Sequence, residues 1–199
     1  MGLTSDDLKG IIIFVGKSAA GKDTAARLLA NTLKNAELGI STTSRPKRSG
    51  ELNGEDYYFI TCEKFEEDHQ AGLFLDAEFY NPIINGEQKR HGYGISLEKL
   101  DYKNNLIVFA ADLARAKRIK AMFGKKVMLV YIDVPLRIRQ ARAEMRDRNF
   151  VLQEWRRRDL DEQTMYKNAY CEVDWVIANN KHFEGINELV WAINFAFNQ

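Results

Sequence analysis

The segment from Ile11 to Lys22 constrains this chain more than any other. Ile11-Ile12-Ile13-Phe14-Val15 is a continuous β-prone run, of the kind buried on both faces of a parallel sheet. Gly16 ends it, and from Lys22 onward Ala25, Leu28, Leu29 and Leu33 recur at helical spacing. Between the two stands Gly16-Lys17-Ser18-Ala19-Ala20-Gly21-Lys22, a G-x-x-x-x-G-K loop set between a strand and a helix, where that pattern carries a mechanism. Glycines let backbone N–H groups turn inward around a polyphosphate. The unpaired first-turn amides and dipole of the following helix favour the same anion. Strand, phosphate loop and helix in direct succession imply an α/β fold.

The remainder of the chain repeats the alternation. Residues 106–111 and 127–132 read as buried strands, followed by helices over 112–123, closed by Gly124, and from about Pro135, where proline suits a first helical turn. Residues 175–178 read as a short last strand and 183–197 as a final helix. The expected architecture is therefore a mostly parallel sheet flanked by helices. Residues 41–96 break the rhythm, with strand-like pieces at 57–60 and 73–79, a helix over 62–71 and a polar stretch at 81–92. This part reads as a small mixed α/β subdomain inserted into the core.

Composition excludes several classes. With 199 residues, 45% of them hydrophobic, the chain can bury a core without help from metals or disulfides. The longest apolar runs are six residues, against the roughly 20 that a membrane helix needs. The first ten residues lack a secretory pattern, and Cys62 and Cys171 are isolated. These features predict a cytoplasmic protein with free thiols and no membrane partner. A formal net charge of +1 argues against a nucleic-acid coat, so no nucleic-acid partner is expected. One stretch departs from neutrality: residues 137–158 carry eight arginines against Glu144, Asp147 and Glu154.

The loop predicts an ATP-binding set of Gly16, Ser18, Ala19, Ala20, Gly21, Lys22, Asp23 and Thr24. Lys22 would reach between the β and γ phosphates and offset charge during phosphoryl transfer. Asp23 stands where a Ser or Thr ordinarily offers a hydroxyl to Mg²⁺; its carboxylate would bind the ion directly or through water. A second anion site is suggested by Ser41-Thr42-Thr43-Ser44-Arg45-Pro46-Lys47-Arg48-Ser49-Gly50-Glu51, followed by Tyr57. Arginine's planar fork suits a pair of phosphate oxygens. A solvated basic turn is the alternative reading of these residues.

Taken together, these motifs resemble the guanylate kinase family, from the loop at Gly16 to Val176-Ile177-Ala178-Asn179. The family's S-x-T-T-R-x-x-R-x-G-E signature reads here as the stretch from Ser41 to Glu51. The resemblance implies a P-loop nucleoside monophosphate kinase fold with a core (about 8–40, 97–136 and 160–199), an acceptor-binding subdomain (about 41–96) and a helical lid (about 137–159). It implies that Ser41, Arg45, Arg48 and Tyr57 grip the acceptor phosphate. Phe74-Leu75-Asp76-Ala77-Glu78 stands in the place of F-[IL]-E-W-A, so either Asp76 or Glu78 supplies the base-recognising carboxylate. Tyr93-Gly94-Ile95-Ser96 stands for Y-G-[ST], with Ile95 at the hydroxyl position and Tyr93 and Ser96 beside it.

Asp112 aligns with the second aspartate of the family's L-D-I-D, near Mg²⁺ and the acceptor; Ala110 replaces the first. A strand-end aspartate capping the next helix is the plainer reading, and the two roles can coexist. In the lid, Arg146 and Arg148 match an R-x-R element, and Arg157 is taken from the 156–158 triplet. Arg146 and Arg157 join Lys22 and Arg45 as the catalytic set; Arg148 joins the ATP set, as does Asn179, matched to a residue near the adenine. Arg137, Arg139 and Arg142 read as helix-surface groups, and His91 as a surface loop residue. Trp191, Phe195 and Phe197 read as core or interface packing.

The expected activity is transfer of the γ-phosphoryl of Mg·ATP to a nucleoside monophosphate, GMP or dGMP first. A kinase of another nucleotide or small phosphorylated acceptor, and an interaction module without turnover, are the alternatives. A homodimer is left open.

Overall fold

Five consecutive β-prone residues need partners on both edges and cover on both faces, and the observed architecture provides both. The computed structural model describes residues 4–47, 50–81, 83–84, 87–146, 151–180 and 185–197. In chain order the elements are β1 (Gly10–Val15), α1 (Lys22–Thr32), β2 (Ala36–Leu38), β3 (Thr42–Thr43), β4 (Tyr58–Phe59), α2 (Cys62–Gln70), β5 (Phe74–Tyr80), β6 (Ile83–Ile84) and β7 (Glu87–Gln88). They continue with β8 (His91–Ser96), β9 (Leu106–Ala110), α3 (Leu113–Phe123), β10 (Val127–Asp133), α4 (Leu136–Arg146), α5 (Leu152–Met165), α6 (Ala169–Glu172), β11 (Trp175–Ala178) and α7 (Ile186–Phe197).

The main sheet has the order β11-β10-β1-β9-β2, and every pairing in it is parallel. β1 is central, with Ile13 opposite Leu129 on one side and Phe109 on the other. All six of its residues are buried. Alternate side chains serve opposite faces. Ile11, Ile13 and Val15 pack with Phe109, Ile119 and Leu129; Ile12 and Phe14 pack with Leu29, Val130, Ile132 and Leu189. A strand buried on both faces cannot alternate polar and apolar residues, which is why its run of hydrophobics is unbroken. At its start, a Cβ on Gly10 would lie 2.6 Å from the Phe197 ring, so the last helix packs directly on the backbone there.

Residues 42–96 build a separate four-stranded sheet of order β4-β3-β8-β5, mixed in direction, with α2 packed on it through buried Phe65. Phe65 stacks on Phe74 at 4.6 Å and would clash with any Cβ at Gly92. The β5–β8 register shifts between Phe74 and Ala77, so Asp76 lies at a bulge while Glu78 opposes Tyr93.

Several expectations need correction. The stretch 81–92 is not simply polar loop: β6 and β7 pair there as an antiparallel hairpin, and β8 begins at His91. His91 is 6% exposed, not a surface loop residue. Trp191 and Phe195 stack on each other at 5.8 Å but stand exposed on α7, so of the three aromatics only Phe197 reaches the core. Pro135 precedes α4, its carbonyl accepting from the Arg139 N–H. Among the described residues no helix is long and apolar enough to cross a membrane.

Candidate active site

The loop 16–21 leaves β1 at its C-terminal end, where open α/β sheets bind ligands. Gly21 caps α1 in the left-handed region, at φ 94°, a conformation that suits glycine. A Cβ at Gly16 would sit 2.9 Å from the Ile132 carbonyl oxygen, so the loop's first residue must also be small. Ala19 adopts φ 60°, a local strain of about 1 kcal/mol that the surrounding contacts hold in place.

Those contacts come from elements distant in sequence. The Glu162 carboxylate of α5 accepts from the Ser18 N–H at 2.9 Å and from its Oγ at 2.5 Å. The Gly16 N–H donates to the Tyr166 hydroxyl at 3.3 Å. Asn179, at the end of β11, donates through Nδ2 to the Ala20 carbonyl at 2.8 Å. Lys22 folds over the loop, its Nζ donating to the Gly16 carbonyl at 2.8 Å.

α4 supplies two further groups that were read as surface arginines, and both readings are corrected here. Arg139 is 2% exposed. It donates to Asp159 at 2.5 Å and to the Val134 and Ser18 carbonyls, with Glu162 at 3.7 Å. Burial alone would raise the Asp159 carboxyl, but hydrogen bonds from Arg139 and Gln163 outweigh it and hold the group below its usual range. Arg142 donates to the Asn179 carbonyl at 2.7 Å and lines one cleft with Ser18, Ala19, Gly21, Lys22, Asp23 and Thr24. Sequence shows no sign of this, because the partners are scattered, from Ser18 and Ala20 over 120 positions before the arginines to Asp159, 20 after Arg139, and Asn179, 37 after Arg142.

A second cleft opens beside the first and shares Asp23 with it. Ser41, Tyr57, Glu78, Tyr93 and Arg115 contribute to its walls. α1 is tied to this side by Arg27, which donates to the Glu55 carbonyl. Tyr57 meets Tyr93 edge-on at 6.3 Å, and the Arg45 guanidinium lies 4.9 Å from its ring centre. Burial, with the Asp23 charge adding to it, pushes the Tyr57 hydroxyl above its usual range, so at neutral pH it is a protonated donor.

Arg45 is buried and grips Glu51 bidentately, one bond at 2.7 Å, while donating also to the Pro46 carbonyl. Glu51 hydrogen bonding is the main cause holding its pKa above the ordinary arginine value, so it is cationic at every accessible pH.

The other sequence candidates divide clearly. Asp76 does not line the second cleft; Arg115 of α3 holds it through Nε at 2.5 Å and Nη2 at 2.8 Å. Glu78 does line it, and pairs with Arg118 at 2.5 Å. Ser96 opposes Phe74 at the other end of β8, away from the cleft walls, and Ile95 is part of the hydrophobic core.

Asp112 caps α3, its Oδ1 accepting from the Arg115 N–H at 2.8 Å. Arg157 stands on the exposed face of α5, paired with Glu154 and Asp161 of its own helix. Arg48, Arg148 and the side chain of Arg146 lie outside the described residues. Arg115, Arg139, Arg142, Glu162 and Tyr166 are among the groups that the sequence did not reveal.

Among the described residues no three or more His, Cys, Asp or Glu side chains gather as a metal cage. The loop cleft instead has one carboxylate, Asp23, beside the Thr24 hydroxyl. That donor set is too sparse to hold a divalent cation by itself and suits one whose remaining ligands are phosphate oxygens and water.

Comparison with known proteins gives one family from a family model and from curated relatives, and the same fold from a solved structure. A family model described as Guanylate kinase matches residues 9–195. The guanylate kinase of Symbiobacterium thermophilum is 31% identical over 183 residues, 91% of this chain and 83% of its own. That of Chlorobaculum tepidum is 29% identical over 174 residues, 85% and 84% of the two chains. The crystal structure of guanylate kinase from Anaplasma phagocytophilum has the same fold, with a TM-score of 0.62 at 21% identity over 97% of this chain and 88% of that one.

Proposed function

The chain belongs to the guanylate kinase family, and from that premise we propose that it transfers the γ-phosphoryl of ATP to a nucleoside monophosphate, GMP or dGMP first, giving ADP and the nucleoside diphosphate. The observation that carries this reading is the pair of clefts meeting at Asp23: the phosphate loop lines one, and Ser41, Tyr57 and Tyr93 line the other. A donor bound on the loop and an acceptor bound by Tyr57 then approach each other across one side chain.

In this scheme the division of labour follows the segments: a core (8–40, 97–136, 160–199) holds ATP, residues 41–96 hold the acceptor, and 137–159 act as lid. The loop amides and Lys22 hold the β and γ phosphates, as donors preorganised around the charge that shifts during transfer. Arg45, Arg48, Ser41 and Tyr57 fix the acceptor phosphate. One of its oxygens, already anionic at neutral pH, forms the new P–O bond as the bond to ADP breaks, so neither a base nor a covalent intermediate is required. Mg²⁺ entering with ATP would be held by its phosphates together with Asp23 and Asp112. It would supply charge neutralisation.

Arg146, Arg148 and Arg157 are assigned to the closed lid, where they would exclude water and balance charge. Because Arg157 is committed to Glu154 and Asp161, its part requires α5 to move or Arg156 or Arg158 to take the role.

ADP release with Mg·ATP against a panel of nucleoside and deoxynucleoside monophosphates tests the reading. Turnover with GMP or dGMP supports it; turnover with another phosphorylated acceptor alone moves the specificity. Absence of turnover with every acceptor would leave a binding module on this fold.

A further inference from the structure

Arg115 is the one buried cation in the wall of the second cleft, at 6% exposed, and the function above does not use it. Its Nε and one Nη2 hydrogen hold both oxygens of Asp76. Asp76 is nearly as buried, so neither group is free to reorient without leaving the other unpaired in a low-dielectric site. The planar fork has a second edge. The N–H groups on Nη1 and the remaining one on Nη2 have no protein acceptor among the described residues. That edge is suited to two adjacent hydrogen-bond acceptors.

The surroundings select among ligands with such a pair. Asp23, Glu55, Asp56 and Glu78 also line this cleft, against Arg27 and Arg115; Asp76 offsets Arg115 as Arg118 offsets Glu78, which leaves three carboxylates against Arg27. A second phosphate at this end would meet excess negative charge, whereas a neutral base would not. Phe109 and Ala110 offer apolar surface for its plane. A carbonyl oxygen beside a ring nitrogen, as in the O6 and N7 of a 6-oxopurine, is the neutral pair that an arginine fork matches best. Adenine presents an amino donor at position 6 and breaks the match.

We propose that Arg115 determines acceptor specificity by reading the O6/N7 edge of a 6-oxopurine monophosphate, while Asp76 serves to hold Arg115 and does not read the base. The proposal rests on the phosphoryl-transfer reading and narrows its acceptor to a class: purines with a 6-oxo group, whatever stands at position 2.

The test compares kcat/KM for GMP, IMP, AMP and 7-deaza-GMP with Mg·ATP, alongside calorimetric binding of each acceptor. GMP and IMP are expected to agree within about threefold, while 7-deaza-GMP and AMP fall by at least about tenfold, the discrimination expected of one bidentate pair. The double substitution Arg115→Met/Asp76→Asn, which leaves no unpaired charge, is expected to remove the penalty on 7-deaza-GMP. If that variant does not fold, the wild-type ratios alone decide. A preference for GMP over IMP above about tenfold would show a carboxylate reading the 2-amino group, and undiminished 7-deaza-GMP would show the N7 contact absent; either overturns the proposal. Binding of nucleotides without turnover would defeat the phosphoryl-transfer reading while the binding ratios still decide Arg115; no binding of any acceptor overturns both.

Discussion

At the scale of single residues, Lys22 carries the heaviest expectation. Lys22→Ala should lower the phosphoryl-transfer rate by more than about tenfold, measured as steady-state ADP release, because the donor charge would lose the cation that lines the loop cleft at the start of α1. Arg139 answers a different question. Its partner Glu162 also steadies the loop at Ser18, and Arg139→Met would leave Asp159 buried without its cation. A loss of about 3 kcal/mol in urea unfolding is expected.

The pH dependence follows from the same pair. The folded-state pKa of Asp159 lies below its unfolded value, so its contribution is present above the unfolded value and is lost as pH falls through the folded one. Stability should therefore decline below about pH 4, and Asp159→Asn should flatten that part of the curve. Neither Arg139 nor Arg115 was legible as buried. A basic residue on a helix reads as solvated unless its carboxylate is known to be opposite, and Asp76 is 39 positions from Arg115.

At the scale of elements, what sequence revealed depended on length and burial. β1, β9 and β10 emerged within a residue or two because strands buried on both faces are unbroken apolar runs, and the short edge strand β11, though partly exposed, is apolar throughout as well. β2 has a glutamate at its centre, and β3, β6 and β7 are only two residues long, too short for any period to register. The cap on α3 was legible, since Asp112 stands directly before the helix it closes. Asp112→Ala should cost about 1 kcal/mol of stability in thermal or urea unfolding. Asp112→Asn keeps a good cap, so its stability should stay close to wild type while kcat falls if the carboxylate also serves Mg²⁺. Equal activity of Asn and wild type would leave Asp112 a cap alone.

At the scale of the whole molecule, the loop is held by parts that meet only in the folded chain: α5 through Glu162 and through Tyr166 at its C-terminal cap, the end of β11 through Asn179, and α4 through Arg139. The motif named the loop, but the clamp around it comes from residues with no pattern of their own. The proposed transfer depends on the loop cleft and the second cleft sharing Asp23, which would let donor and acceptor react directly.

Following the label of [γ-³²P]ATP in the presence of GMP tests that dependence most directly. The label is predicted to appear in the nucleoside diphosphate, one for each ADP formed, with little free phosphate. Label released only as inorganic phosphate, or ADP formation indifferent to the acceptor, would contradict it.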